Sequence, residues 1–166
     1  MGEAVIVELG HAGLWVDDLA TMRDFYRDVL GLTVTDEDND VGMVFFSSRP
    51  HVEHHELVIA RGRSADRDAR VLNQLSWRLD SLESLLEFYA RLVAAKAPIR
   101  QAVTHGIALG VYFEDPEGNV NEVYWTTGEK VTQPYRKSVD LHGDPADVLA
   151  EAHRLLSEEP PRYDRR

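Results

Sequence analysis

His11 and Gln74 occupy the same place in a sequence that is written twice. The segment from His11 to Leu30 returns as Gln74 to Val93, shifted by 63 residues: Leu14 falls on Trp77, Val16 on Leu79, Asp17 on Asp80, Leu19 on Leu82, and Phe25-Tyr26 on Phe88-Tyr89. A duplication of this size is one supersecondary module used twice. Two polar residues at one repeated position are therefore expected to line a common cavity. The carboxylates extend the pattern, with Glu122 in Asn121-Glu122-Val123-Tyr124-Trp125 and Glu56 in His55-Glu56-Leu57-Val58-Ile59 at nearly corresponding places. An acid among Val, Tyr and Trp is costly to bury without a cation or strong donors; on the solvent face of a sheet it is simply exposed. The 166 residues contain no Cys, which excludes disulfides and thiolate sites. A metal here must take N and O donors from His, carboxylate, amide or tyrosinate, which suits Fe, Mn, Ni or Zn.

The elements that must position these groups are legible from spacing. Val5 to Val7 lead into a first strand running through His11 to Val16, in which His11 shares a face with Gly13 and Trp15. Asp17 or Asp18 caps a helix over Leu19 to Leu30 that stops at Gly31, and strands follow at Leu32 to Thr35, Gly42 to Ser47 and His54 to Ala60. After a charged stretch, Arg61 to Arg70, the order repeats: a strand at Leu72 to Leu79, a helix from Leu82 to about Ala95 capped by Ser81 and ended by Pro98, then strands at Ile99 to Val103, Leu109 to Glu114 and Val120 to Thr126. Asp115-Pro116-Glu117-Gly118-Asn119 carries the residues of a tight turn. Both modules read βαβββ. The tail differs in kind: Gln133 to Asp140 reads as extended, Asp144-Pro145 as a cap and first turn, Ala146 to Ser157 as a helix with one apolar face, and Pro160 to Arg166 as a frayed end. The expected fold class is α+β, with paired modules at about 5–60 and 72–127 forming one domain over 1–127, and an extended segment and helix over 128–166.

Composition narrows the partners. A formal charge of -11 argues against a nucleic-acid surface, which needs clustered Lys and Arg. No apolar run reaches the roughly 18 residues of a membrane span and the first residues lack a signal-peptide pattern, so no membrane partner and a cytoplasmic location are expected.

The two modules, the opening His11-Ala12-Gly13-Leu14-Trp15-Val16 and the stretch from Tyr112 to Glu122, which reads Tyr-Phe-x-Asp-Pro-x-Gly-Asn-x-x-Glu, resemble the vicinal oxygen chelate superfamily. That group includes glyoxalase I, type I extradiol ring-cleaving dioxygenases and bleomycin-resistance proteins. The resemblance covers about Val5 to Thr127 and implies a curved half-barrel sheet around a cleft that holds a divalent metal. Closest in pattern are the extradiol enzymes, which imply His11, Gln74 and Glu122 as metal ligands, Fe(II) as the metal with Mn, Ni or Zn as alternatives, and a catechol-type ring opened with O2. Position 74 is Gln where that pattern has His, and an amide oxygen is a weaker, neutral donor. The same resemblance implies that His105 and Tyr112 lie near the substrate oxygens and that His55 moves protons, work suited to a group titrating near neutrality. Strand parity does not choose between His54 and His55.

Two alternatives stay open. A glyoxalase-like isomerase or lyase would add Glu56 to His11, Gln74 and Glu122 as ligands, with Glu56 or Glu122 as the base. A binding protein of the bleomycin-resistance type would sequester an aromatic compound without turnover, with Trp15, Trp77, Tyr124 and Trp125 as walls. In every case the expected partner is a small aromatic or chelating metabolite, with Met43 to Phe46 and Gln101 to Leu109 setting its identity, and the resemblance implies a homodimer.

Overall fold

The computed structural model describes residues 9–64 and 72–158. They fall into two compact units divided between residues 69 and 70. The expected strand start at Val5 to Val7, the end at Pro160 to Arg166 and most of the charged stretch before the second copy lie outside the described residues.

The first unit runs β1 (Ala12–Val16), α1 (Leu19–Asp24), β2 (Thr33–Asp38), β3 (Met43–Ser47) and β4 (Leu57–Arg61). Its four-stranded sheet has the order β1-β4-β3-β2, with β1 and β4 parallel and the other pairs antiparallel. Asp18 caps α1 by accepting from the Thr21 N–H at 3.0 Å. Beyond Asp24 the expected regular helix gives way to a wider π turn over Phe25–Val29, closed by the Leu30 N–H donating to the Phe25 carbonyl at 3.1 Å. The wider turn brings Phe25 and Tyr26 inward together, edge to face with ring centroids 5.6 Å apart. The core beneath is Val16, Met22, Tyr26, Phe46, Leu57 and Ile59, all fully buried. A side chain of this kind is worth about 1.5–3 kcal/mol when buried, which outweighs the imperfect helix geometry.

The second unit repeats the order: β5 (Leu75–Arg78), α2 (Leu82–Ala94), β6 (Ile99–Thr104), β7 (Ala108–Glu114), β8 (Val120–Thr126), then β9 (Lys137–Ser138) and α3 (Pro145–Leu156). The sheet order is β5-β8-β7-β6-β9, the same as in the first unit with one short strand added at the edge. Ser81 caps α2 by accepting from the Ser84 N–H, and Leu82, Leu85, Phe88 and Leu92 form its buried face. The helix ends before Pro98, at Ala95, where Lys96 turns left-handed with φ 55°. Here the helix is regular, and Tyr89 stays half-buried with its ring against His142 at 5.1 Å. Asp144 caps α3, Pro145 opens it, and the helix packs against α2. Of the extended segment expected over Gln133 to Asp140, only Lys137–Ser138 pairs as a strand. Both sheets are open and the class is α+β.

Candidate metal and proton-transfer site

Strand register assembles the site on one face of the second sheet. Ser76 on β5 lies opposite Glu122 on β8, Glu122 opposite Tyr112 on β7, and Tyr112 opposite Gln101 on β6. Directly opposed residues share a face, so these four polar side chains form one row across four strands. The other face carries Leu109, Val111, Phe113 and Val123, which are buried. The row depends on a register shift between Ile99 and Gln101, without which Gln101 would not oppose Tyr112.

Glu122 is the centre of this row and is only 7% exposed. Its Oε2 accepts from the Ser76 hydroxyl at 2.6 Å and from the Gln74 side-chain amide at 3.1 Å. Tyr112 stands directly opposite it on β7, close enough for the two groups to act on each other. Among the described residues no Lys, Arg or His pairs with it. On β7, Gly110 keeps the neighbouring space clear: a Cβ there would stand 3.1 Å from Glu122 Oε1. A buried carboxylate met only by neutral donors, with room kept beside its second oxygen, is a place that suits a cation. Gln74 fits the same use, because a half-turn of its terminal amide exchanges two groups of nearly equal size and sets an oxygen beside the carboxylate. Among the described residues no three His, Asp or Glu side chains converge as a ready-made cluster. The second unit therefore offers two donors, one carboxylate and one amide.

His105, in the turn between β6 and β7, stands over the Tyr112 end of the row. Its Nδ1 is 3.0 Å from the Tyr135 carbonyl oxygen and its Nε2 is 3.3 Å from the Tyr112 hydroxyl. A carbonyl only accepts, so Nδ1 carries a proton, and in the corresponding neutral tautomer Nε2 presents its lone pair to the phenol. Burial, together with the hydrogen bond and negative charge of Glu122, pushes the Tyr112 phenol well above its ordinary pKa, and the positive charge of Arg136 opposes part of that rise. Tyr112 is thus held as a proton donor between a carboxylate and an imidazole.

The first unit gathers its histidines differently. Strand β4 begins at Leu57, so His54, His55 and Glu56 lie in the loop before it and not on the expected strand. His55 is half-buried, its ring 4.4 Å from that of His11 and 5.2 Å from Phe45, while His54 is exposed with its Nδ1 3.0 Å from Nδ1 of His55. Between the two, it is His55 that stands against His11. Burial lowers the His55 pKa, and the neighbouring His11 and His54 lower it further against a small opposing effect of Glu53.

Glu56 does not hold the place that its spacing suggests. In the parallel pairs Gly13 opposes Val58 and Ser76 opposes Glu122, and Gly13 and Ser76 are repeat mates. The counterpart of Glu122 is therefore Val58, two residues beyond Glu56. The Glu56 carboxylate is instead fastened to the 47–49 turn, accepting from the Ser48 N–H at 2.8 Å, the Ser48 hydroxyl at 2.6 Å and Arg49 Nε at 3.0 Å. Burial would raise its pKa, but these donors outweigh it and hold the group below the usual carboxylate range. An oxygen so engaged is less available to a metal, which weighs against Glu56 as a ligand in the glyoxalase-like alternative.

The model of the Glyoxalase/Bleomycin resistance protein/Dioxygenase superfamily matches residues 8–123. The chain belongs to this superfamily. Within it, a 1,2-dihydroxynaphthalene dioxygenase of Pseudomonas sp. (strain C18) is 29% identical over 146 residues, which is 85% of this chain and 46% of the relative. A manganese-dependent 2,3-dihydroxybiphenyl 1,2-dioxygenase of Geobacillus genomosp. 3 is 29% identical over 142 residues, 83% of this chain and 42% of the relative. The chain thus spans less than half the length of either relative. The solved structure of a glyoxalase/bleomycin resistance protein/dioxygenase from Nocardioides superposes with a TM-score of 0.61 at 19% identity, over 79% of this chain and 91% of that one. That likeness confirms the superfamily fold. Sequence alone singles out neither Ser76 nor Arg136, and it reaches Gln101 only as the start of the lining stretch Gln101 to Leu109. Ser76 could have been found, since it shares strand parity with Gln74. Among the described residues no helix is long and apolar enough to cross a membrane.

Proposed function

We propose that this superfamily member is a metal-dependent, dioxygenase-like oxidoreductase that opens the ring of a small vicinal aromatic diol with O2. One observation carries the reading: a buried carboxylate without a cationic partner lies in register with a phenol, and that phenol faces an imidazole whose Nδ1 is committed to a carbonyl. The relatives named as dioxygenases support the same class of reaction. Glu122 and Gln74 would hold a divalent metal, Fe(II) or Mn, and the family resemblance implies His11 as its imidazole ligand. Such a metal lowers the pKa of a chelated hydroxyl and gathers diol and O2 in one coordination sphere.

The chain's own groups then divide the proton work. His105 Nε2 is the acceptor for a diol proton, since its Nδ1–H is committed to the Tyr135 carbonyl. Tyr112 remains protonated and donates to a substrate oxygen or back to Glu122. His55, kept neutral by burial and by its histidine neighbours, serves as a second acid-base group. A positioned proton donor or acceptor of this kind contributes about 100- to 10,000-fold.

Metal analysis after anaerobic purification, with oxygen uptake on a panel of catechols, tests the reading. Stoichiometric iron or manganese that is lost in Glu122→Ala and bound more tightly in Gln74→His, with catechol-dependent oxygen uptake, is the expected result. Metal retained in Glu122→Ala, or metal-loaded protein without oxygen uptake on any catechol, overturns it.

A further inference from the structure

We propose that Arg136 is the subsite for an anionic substituent, so that the preferred substrate is a diol carrying a carboxylate on its ring or side chain. This deepens the function proposed above and rests on it. Arg136 lies beyond residues 8–123, the part matched by the superfamily, on the tail just before β9.

Its placement is built by its neighbours. Tyr135 is buried and donates its hydroxyl to the Leu155 carbonyl at 2.7 Å, and Lys137 Nζ donates to the same oxygen at 2.9 Å. Both flanking side chains are thus committed to the end of α3. Arg136 runs the other way and donates to the side-chain oxygen of Gln101, the last member of the polar row. The Tyr135 carbonyl that fixes His105 belongs to the same short segment. Guanidinium, imidazole and phenol are therefore positioned by one set of contacts.

The guanidinium is half-buried and forms no ion pair among the described residues. This stands out in a chain with 29 acidic and 18 basic residues, where a cation readily finds a carboxylate. Arginines removed from water are normally paired, and a planar fork held by one neutral amide retains donors suited to two carboxylate oxygens. Gln101, which Arg136 meets, stands directly opposite Tyr112, so an anion bound there lies within reach of the proposed reacting oxygens. The overall charge of -11 disfavours an approaching anion, and a cation within the site is what offsets this locally.

Calorimetric binding of catechol and of carboxylated catechols, with oxygen uptake measured in parallel, tests the assignment on metal-loaded protein. The native chain should bind a carboxylated catechol about 10- to 100-fold more tightly than catechol, the range of a charge-assisted hydrogen-bonded pair. Arg136→Met should abolish that preference while leaving catechol binding within about threefold, and Arg136→Lys should retain part of it. The carboxylate-dependent increment should persist on metal-stripped protein, because it does not run through the metal. No preference in the native chain, or a preference unchanged in Arg136→Met, overturns the proposal. Oxygen uptake on catechol without such a preference leaves the ring-opening reading standing and removes this one. Arg136-dependent selective binding without oxygen uptake does the reverse, and binding of neither ligand sinks both.

Discussion

Replacing Tyr112 by Phe removes one oxygen from the polar row, and the geometry sets what should follow. The hydroxyl lies 3.3 Å from His105 Nε2, on the residue directly opposite Glu122. In the variant Glu122 keeps Ser76 at 2.6 Å and Gln74 at 3.1 Å, so the carboxylate is not stripped of donors. The stability loss should therefore be that of one ordinary hydrogen bond, about 1 kcal/mol. For a chain of this size that is a fall in Tm of roughly 2–4 °C. Turnover should fall much further, by about 100-fold or more, because a positioned proton donor is gone, while KM for the diol moves little. A third readout separates catalysis from packing. With its pKa pushed up, Tyr112 should contribute no tyrosinate near pH 10, roughly where a free phenol is half ionised. Ultraviolet difference titration of native and Tyr112→Phe protein should then give equal tyrosinate yields at that pH. Oxygen uptake within twofold of native, alongside the expected fall in Tm, would show that the hydroxyl is only structural. A missing equivalent of tyrosinate in the variant would show that its environment does not hold the proton.

Two further perturbations probe the supports of the site. Glu56 has a depressed pKa in the folded chain, so its contribution is present above its unfolded value of about 4.3 and is lost as pH falls through the folded value; Glu56→Gln should cost about 1–3 kcal/mol at pH 7 and nothing once both proteins are protonated, and an equal cost at both pH values in denaturant unfolding would refute it. Gly110→Ala would place a Cβ 3.1 Å from Glu122 Oε1 and 3.3 Å from the Val123 carbonyl oxygen; the carboxylate must yield, and the variant should lose bound metal and about 1–3 kcal/mol of stability. Gly10→Ala, with nothing within 4 Å of the new atom, is the control, and equal metal content in both variants would refute the account.

Local signals were legible where local physics decides. The shift of 63 residues carries the start of β1 onto the start of β5 and the start of α1 onto that of α2, because caps and apolar spacing act within a turn or two. The π turn was not legible, since the same Phe-Tyr pair sits in a regular helix in the second copy; packing beneath it makes the difference. His54 to Glu56 read as strand from alternation alone, but Glu56 is drawn into the 47–49 turn by Ser48 and Arg49, contacts that no periodicity encodes. In the site, Glu122, His105 and Tyr112 carried a sequence signal. Arg136 did not, because it lies on a tail outside the repeat, and Gln101 entered only as part of a lining stretch, because its place in the row depends on a register shift.

The duplication itself supports the proposed place of Glu122. The row Ser76, Glu122, Tyr112, Gln101 has a counterpart in the first sheet, where register aligns Gly13, Val58, Phe45 and Asp36. Even the shift is repeated, between Val34 and Asp36 as between Ile99 and Gln101. One backbone therefore presents the same four positions twice, once as hydrogen-bonding groups around a buried carboxylate and once with an apolar centre. Val58 and Phe45 cannot bind a cation or hold a proton, whereas their half-buried surfaces beside His11 and His55 suit an aromatic ring. A module that folds with Val58 and Phe45 at the two central positions does not explain Glu122 by packing. The retained carboxylate points to ligand chemistry, and Glu122→Val, which copies the first unit's residue, should leave the second sheet folded while removing the metal.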